Sequence, residues 1–133
     1  DSLAVGVTDD PSVSRVTLVA DGDDYMVEQL EKQLNKLVDV IRVRTIPQEE
    51  LISRELLLAK INAPAEKRSE IMTIAAITGA KVVDITTSTI TLEISDRTEK
   101  LANFEALIKP YGIKEMVRTG TIALQRGADA IKR

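Results

Sequence analysis

Along residues 14–20 apolar and polar positions alternate: Val16, Leu18 and Ala20 fall on one side, Arg15, Thr17 and Val19 on the other. A period of two predicts a strand. Residues 3–7 (LAVGV) are a second short run. Between the two, Thr8-Asp9-Asp10-Pro11-Ser12 is turn chemistry, because proline has no N–H and restricts the residue before it. A hairpin is the expected result. From residue 25 to 37 the period changes. Val27, Leu30, Leu34 and Leu37 recur at steps of three and four, the single apolar stripe of a helix. Asp21, Gly22, Asp23 and Asp24 turn the chain into it, and Asp23 or Asp24 can accept from its first free N–H groups. Glu28 and Lys32 sit one helical step apart on the solvated side. Residues 38–44 are expected to form the next strand.

Residues 45–53 (TIPQEELIS) have no sustained period and are the expected linker. Residues 55–61 are apolar on both sides, Leu56 and Leu58 on one, Leu57, Ala59 and Ile61 on the other. Such a strand belongs in the middle of a sheet. Asn62-Ala63-Pro64 leads to a helix over residues 65–78 with the stripe Ile71, Ile74, Ala75, Thr78, and Gly79 is placed to end it in the left-handed conformation. Residues 81–85 and 89–94 are strands around the turn Thr86-Thr87-Ser88. Ser95 or Asp96 is expected to cap a helix at 97–109, with Leu101, Phe104 and Ile108 inward. Pro110-Tyr111-Gly112 breaks it. Residues 113–119 form a strand, 121–124 a short further one, and 127–133 a frayed polar tail.

The strand–turn–helix–strand grammar of residues 16–45 returns at 90–119, a shift of 74 positions. Val16 falls on Ile90, Leu18 on Leu92, Val27 on Leu101, Leu30 on Phe104 and Leu34 on Ile108. Val43-Arg44-Thr45 falls on Val117-Arg118-Thr119 without change. Identity is otherwise low, so the repeat is one of structural units. Residues 54–126 read βαββαβ, the ferredoxin-like unit. Residues 1–46 read ββαβ, the same unit without its first strand and helix, and 47–53 link the two. The fold class is α+β, two ferredoxin-like units of which the first is incomplete. In such a sheet the first strand lies between the third and fourth. The strand at 38–44 therefore has an open edge, which residues before Asp1 or a strand from another chain would complete.

Composition narrows the chemistry. There is no Cys and no His among the 133 residues. Disulfides, thiolate or imidazole metal sites, Ser-His-Asp and Cys-His nucleophiles and imidazole bases are thereby excluded. Carboxylates, Lys and Tyr remain. The aromatics are Tyr25, Phe104 and Tyr111 alone, too few for base stacking, and a net charge of −3 gives no field for a polyanion. No nucleic-acid partner is expected. No apolar run nears the roughly 20 residues of a membrane span, and no membrane partner is expected. Asp9-Asp10 and the aspartates at 21, 23 and 24 fit turns and caps better than a calcium loop. Arg118, Arg126, Lys132 and Arg133 fit a solvated tail or subunit contact better than a phosphate patch. Thr86-Thr87-Ser88-Thr89 is a hairpin turn, and the glycines form no nucleotide fingerprint.

Several stretches in register carry a resemblance. They are DSLAVG at 1–6, DP at 10–11 with VSRVT at 13–17, and QLNKLVDV at 33–40. RELLLAK at 54–60, GAKVVD at 79–84 and PYGI at 110–113 with VRTG at 117–120 continue the series. Together the chain resembles the small, regulatory subunit of acetohydroxyacid (acetolactate) synthase over essentially its whole length. The resemblance implies an N-terminal ACT domain and a C-terminal ferredoxin-like domain. It implies a non-catalytic chain, without cofactors of its own, that stimulates a catalytic partner carrying thiamine diphosphate, Mg²⁺ and FAD. It further implies feedback inhibition by valine, or by leucine or isoleucine, bound between ACT domains, in branched-chain amino-acid biosynthesis.

The resemblance implies an ACT domain that opens with a strand, a Gly-containing loop and a helix that cradle the effector, and it enters this sequence at Asp1, after those elements. Asp1, Ser2 and Leu3 are the residues expected near an effector, and weak or absent valine binding is expected of the chain as given. Ala59 departs from a larger aliphatic residue and bears on packing. The two-faced strand at 55–61, with helices on one side only, calls for a homodimer or higher oligomer. A stand-alone ACT-like sensor or interaction module is the alternative. The compartment expected is the cytosol in a bacterium, and plastid or mitochondrion in a eukaryote.

Overall fold

The computed structural model describes residues 2–20 and 22–131. Asp1 and Asp21, and Lys132 and Arg133 of the tail, lie outside the described residues. The chain is α+β. It divides into two compact units, one comprising Asp1–Ser53 with Ala123–Arg133, the other Arg54–Ile122.

In the N-terminal unit β1 (Ser2–Val7) and β2 (Ser14–Val19) form the expected antiparallel hairpin, with Leu3 opposite Leu18 and Val5 opposite Val16. Its turn is held by Asp10, whose Oδ1 accepts from the Ser12 amide at 3.0 Å and the Ser12 hydroxyl at 2.7 Å. The helix α1 runs Asp24–Asn35, and Asp23 is its cap, accepting from the Met26 amide at 2.8 Å. Both aspartates thus serve backbone N–H groups, as the turn reading requires. Glu28 and Lys32 pair at 3.3 Å on its exposed side.

Residues 38–44 are not a strand. A strand exists only as part of a ladder, and β1 and β2 pair with each other alone. The amide of Val40 closes a local turn on the Leu37 carbonyl, and Arg44 donates to the Ala130 carbonyl at 3.0 Å. The apolar pattern of the segment is real, but no neighbouring strand among the described residues meets its backbone.

A second difference concerns the segment read as linker. Gln48–Glu50 is one 3₁₀ turn, and β3 begins at once, running Leu51–Asn62. Its early start is matched by β7 (Ile122–Gln125), which pairs with it. The Arg126 amide donates to the Glu50 carbonyl at 2.7 Å, and Gln125 Nε2 to the Glu50 carboxylate at 3.1 Å.

The C-terminal unit continues through α2 (Arg68–Thr78), β4 (Lys81–Ile85), β5 (Thr89–Asp96), α3 (Thr98–Ile108) and β6 (Ile113–Arg118). Its strand order is β4-β5-β3-β6, all neighbours antiparallel. β3 therefore lies between the third and fourth strands of the unit, as the βαββαβ reading demands. One 3₁₀ turn, Ala65–Lys67, precedes α2, so the helix starts later than the pattern suggested. Gly79 closes it at φ 81°, its amide bonded to the Ala75 carbonyl. At the start of α3 the cap position is Arg97; Asp96 supports it by accepting the Arg97 amide at 2.8 Å.

The core lies between the sheet and the two helices. Leu57, Ala59 and Ile61 of β3 and Ile90, Leu92 and Ile94 of β5 meet Ile71 and Ala75 of α2 and Leu101, Phe104 and Ile108 of α3. Parity decides this: alternate strand residues share a face, and the inward set is wholly apolar from Leu57 onward. The opposite face is open. There Leu58 is 37% and Val117 60% exposed, and they are register partners on β3 and β6. Lys60 faces Glu115, and Leu58 faces Glu93 on β5.

Candidate functional site

The residues expected near an effector open β1. Ser2 pairs in register with Val19 and is half-buried; Leu3 pairs with Leu18 and is exposed. Asp1 lies outside the described residues. Leu3, Val5 and Val7 share one hairpin face with Val16 and Leu18, and all five are exposed. The other face is fastened from within the unit, where Arg15 Nη2 donates to the Ala123 carbonyl at 2.8 Å. The α1 stripe contains no buried residue. The N-terminal unit thus presents an apolar surface beside Ser2 and Leu3, of a kind that marks a contact or ligand face.

Several charged groups of the C-terminal unit are engaged with one another. Glu55 stands on the inward face of β3 and is 6% exposed. Arg118, at the end of β6, donates to it through Nε at 2.7 Å, and its Nη1 lies 3.6 Å from Glu105 of α3. Beside them the Leu56 amide donates to the Thr119 hydroxyl at 3.1 Å. Arg118 is therefore tied into an acidic cluster and does not project as part of a phosphate patch. The repeat carried a signal for this that pattern reading missed. At the shift of 74, Glu31 corresponds to Glu105 and Thr45 to Thr119, and in the N-terminal unit the Thr45 hydroxyl donates to Glu31 at 2.9 Å. In both units the V-R-T triplet meets a glutamate of the preceding helix, through Thr45 in the first and Arg118 in the second.

Arg68 of α2 donates to the carbonyls of Ala63 and Thr86, fixing the loop before α2 against the β4–β5 turn. Tyr111 donates to Glu70 at 3.0 Å. Burial and then the Glu70 carboxylate push its phenol above its ordinary range. Among the described residues no group of three or more His, Cys, Asp or Glu is arranged to hold a metal ion. No helix among them is long and apolar enough to cross a membrane. One cleft stands apart from all of this, about 260 Å³ in volume, between α2, β5 and α3. The sequence pattern did not reveal it.

A complete ferredoxin-like unit preceded by an incomplete one, which bears an apolar hairpin face, defines an ACT-type chain. Residues 1–42 match the family model of the AHAS small subunit-like ACT domain, and residues 54–127 that of the small subunit of acetolactate synthase. The second match runs past the point at which the chain divides, because β7 is spatially part of the N-terminal unit. A probable acetolactate synthase small subunit of Methanothermobacter thermautotrophicus is 40% identical over 129 residues, covering 96% of this chain and 77% of that protein. The acetolactate synthase small subunit of Haemophilus influenzae is 42% identical over 128 residues, covering 96% of this chain and 78% of that protein. The crystal structure of the acetolactate synthase small subunit from Thermotoga maritima superposes with a TM-score of 0.89 at 32% identity, over 96% of this chain and 80% of that one. The chain belongs to the family of acetolactate synthase small subunits.

Proposed function

We propose that the chain is a non-catalytic regulatory subunit that stimulates the catalytic subunit of acetohydroxyacid synthase. It confers feedback inhibition by valine, or another branched-chain amino acid, on that partner. The observation that carries the reading is the succession of two family matches, ACT domain then C-terminal domain, in one chain. Thiamine diphosphate, Mg²⁺ and FAD belong to the partner in this reading, and the acetolactate-forming chemistry with them. Asp1, Ser2 and Leu3 are the residues nearest the effector in this reading, and Ser2 and Leu3 open β1 beside the apolar hairpin face.

The mechanism is a two-state coupling. Effector bound at the N-terminal unit favours one of two ways of engaging the partner, with a coupling free energy of typically about 1–3 kcal/mol. Assembly as a homodimer or higher oligomer is part of the proposal; the exposed pair Leu58 and Val117 on an otherwise uncovered sheet face supports it. The compartment is that of the synthase: cytosol in a bacterium, plastid or mitochondrion in a eukaryote.

The test is to add the complete protein to the catalytic subunit and measure acetolactate formation with and without valine, leucine and isoleucine. Stimulation that one of these amino acids reverses is the expected result. Effector binding with no change in synthase rate would favour a stand-alone sensor, and neither effect would sink the proposal.

A further inference from the structure

The cleft of about 260 Å³ in the C-terminal unit lies where the last turn of α2, the end of β5 and the first three turns of α3 converge. Ile94 and Phe104, both buried, line its inner part, and Ile77 and Leu107 its mouth. Ile77 is 79% exposed, on a helix whose last two turns carry no charged side chain. A helix apolar on its solvent side as well as its core side leaves surface that a binding partner would cover.

The polar side of the cleft is made by Asp96, Lys100 and Asn103. Asp96 and Lys100 have opposite charge and line the same cleft, yet they form no ion pair with each other. Among the described residues neither pairs with any other charged side chain. Asp96 Oδ1 accepts the Arg97 amide, which leaves its other oxygen for a ligand. Two opposite charges held apart beside an apolar mouth are the complement of a zwitterion with an aliphatic body. An ammonium group would meet Asp96 and a carboxylate Lys100 with the Asn103 amide beside it, and the side chain would lie against Ile77 and Leu107, both exposed. The volume falls below the about 300–1,000 Å³ of drug-sized sites, which favours a molecule of few atoms.

We propose that this cleft binds a small α-amino acid with an aliphatic side chain. The site is built within the C-terminal unit, and the inference does not rest on the regulatory reading, whose effector lies at the N-terminal unit.

The experiment is a methyl-NMR titration of the whole chain with L-leucine, with 4-methylpentanoate, which lacks the ammonium, and with 3-methylbutylamine, which lacks the carboxylate. L-Leucine is expected to shift the methyls of Ile77, Ile94 and Leu107 saturably. Each half-molecule is expected to bind at least about tenfold more weakly, the loss of one charged hydrogen bond. Lys100→Met should weaken leucine by a similar factor and Lys100→Arg should retain it; both changes sit on the exposed side of α3, and the unchanged spectrum of the free protein checks the fold. No saturable shift at these three residues overturns the proposal. So does equal binding of all three probes, which would mean apolar trapping only. Leucine shifts confined to Leu3 and Leu18 would overturn it while leaving the effector reading of the N-terminal unit intact.

Discussion

Arg118 closes on Glu55 through two nitrogens that share one carboxylate oxygen, Nε at 2.7 Å and Nη2 at 2.5 Å. The carboxylate is buried and the guanidinium only partly exposed, so the pair sits where removing one partner strands the other. Arg118→Met is expected to destabilise the protein by about 3 kcal/mol. Adding Glu55→Met to it should recover much of the loss, because the stranded charge is then gone. Urea unfolding of the two variants measures both. A loss below about 0.5 kcal/mol for the single change would place the pair with ordinary surface ion pairs.

Gly112 and Gly79 both have positive φ, 93° and 81°, but their surroundings differ. A Cβ on Gly79 would meet nothing within 4 Å, whereas one on Gly112 would stand 2.4 Å from Asn62 Nδ2. The Gly112 carbonyl also accepts the Asn62 amide at 3.0 Å, at the end of β3. Gly79→Ala is expected to cost about 1 kcal/mol, the backbone strain alone. Gly112→Ala should cost more, about 2 kcal/mol, since ψ of 104° lies outside the left-handed helical basin and the Asn62 side chain must move as well. Thermal unfolding of the two variants gives the order; the reverse order would contradict it.

The C-terminal unit was legible because its signals agree. Strand parity, helix stripes and the stop at Gly79 all place Leu57, Ile90, Ile71 and Phe104 in one core. The N-terminal unit was less so. Val38, Val40 and Val43 carry a strand pattern, but pairing depends on a neighbour and not on the segment itself. The allegiance of β7 was invisible for a similar reason: Arg15 and Ala123, which join it to the hairpin, are 108 positions apart. The cleft between α2 and α3 draws Ile77, Asp96 and Lys100 from three elements. Local periodicity marks Ile77 only as a stray apolar residue.

Residues 38–47 lie outside any helix or strand, and Arg42 and Arg44 are exposed. Backbone without a ladder opens at low cost, and proteases follow such openings. Brief trypsin treatment of the native protein is expected to cut first after Arg42 or Arg44, read by mass spectrometry of the fragments. First cuts after Lys60 or Lys114, within the paired strands of the C-terminal unit, would show that the segment is protected.

The Tyr111 phenol is held above its ordinary value of 10.0, by burial first and then by its hydrogen bond and proximity to Glu70. The folded protein therefore keeps this proton where the unfolded chain releases it. The resulting stability is fully present below about pH 10 and is lost as pH rises through the folded value. Tyr111→Phe should lower stability at neutral pH, where the Glu70 hydrogen bond is lost, and flatten the alkaline part of the stability curve. Melting temperatures of both proteins from neutral pH to pH 11 test this; parallel alkaline declines would mean another group is responsible.

Leu58 and Val117 face each other in register on the open side of the sheet, flanked by Lys60 opposite Glu115 and by Glu93. An apolar pair ringed by alternating charges can meet a second copy of itself, charge against opposite charge, about a two-fold axis. If this face joins copies of the chain, Leu58→Glu places an unpaired carboxylate at the centre of the contact, where desolvating it is costly. On the free face the same change costs only about 0.2–1 kcal/mol, because Glu93 stands opposite it on β5 and Leu58 is not part of the core. Sedimentation equilibrium of the wild type and of Leu58→Glu should therefore show a shift toward monomer with only a small fall in the unfolding midpoint once dissociated. An unaltered assembly in the variant would assign the contact to another surface, for which the exposed hairpin face of Leu3, Val5 and Val16 is the next to test.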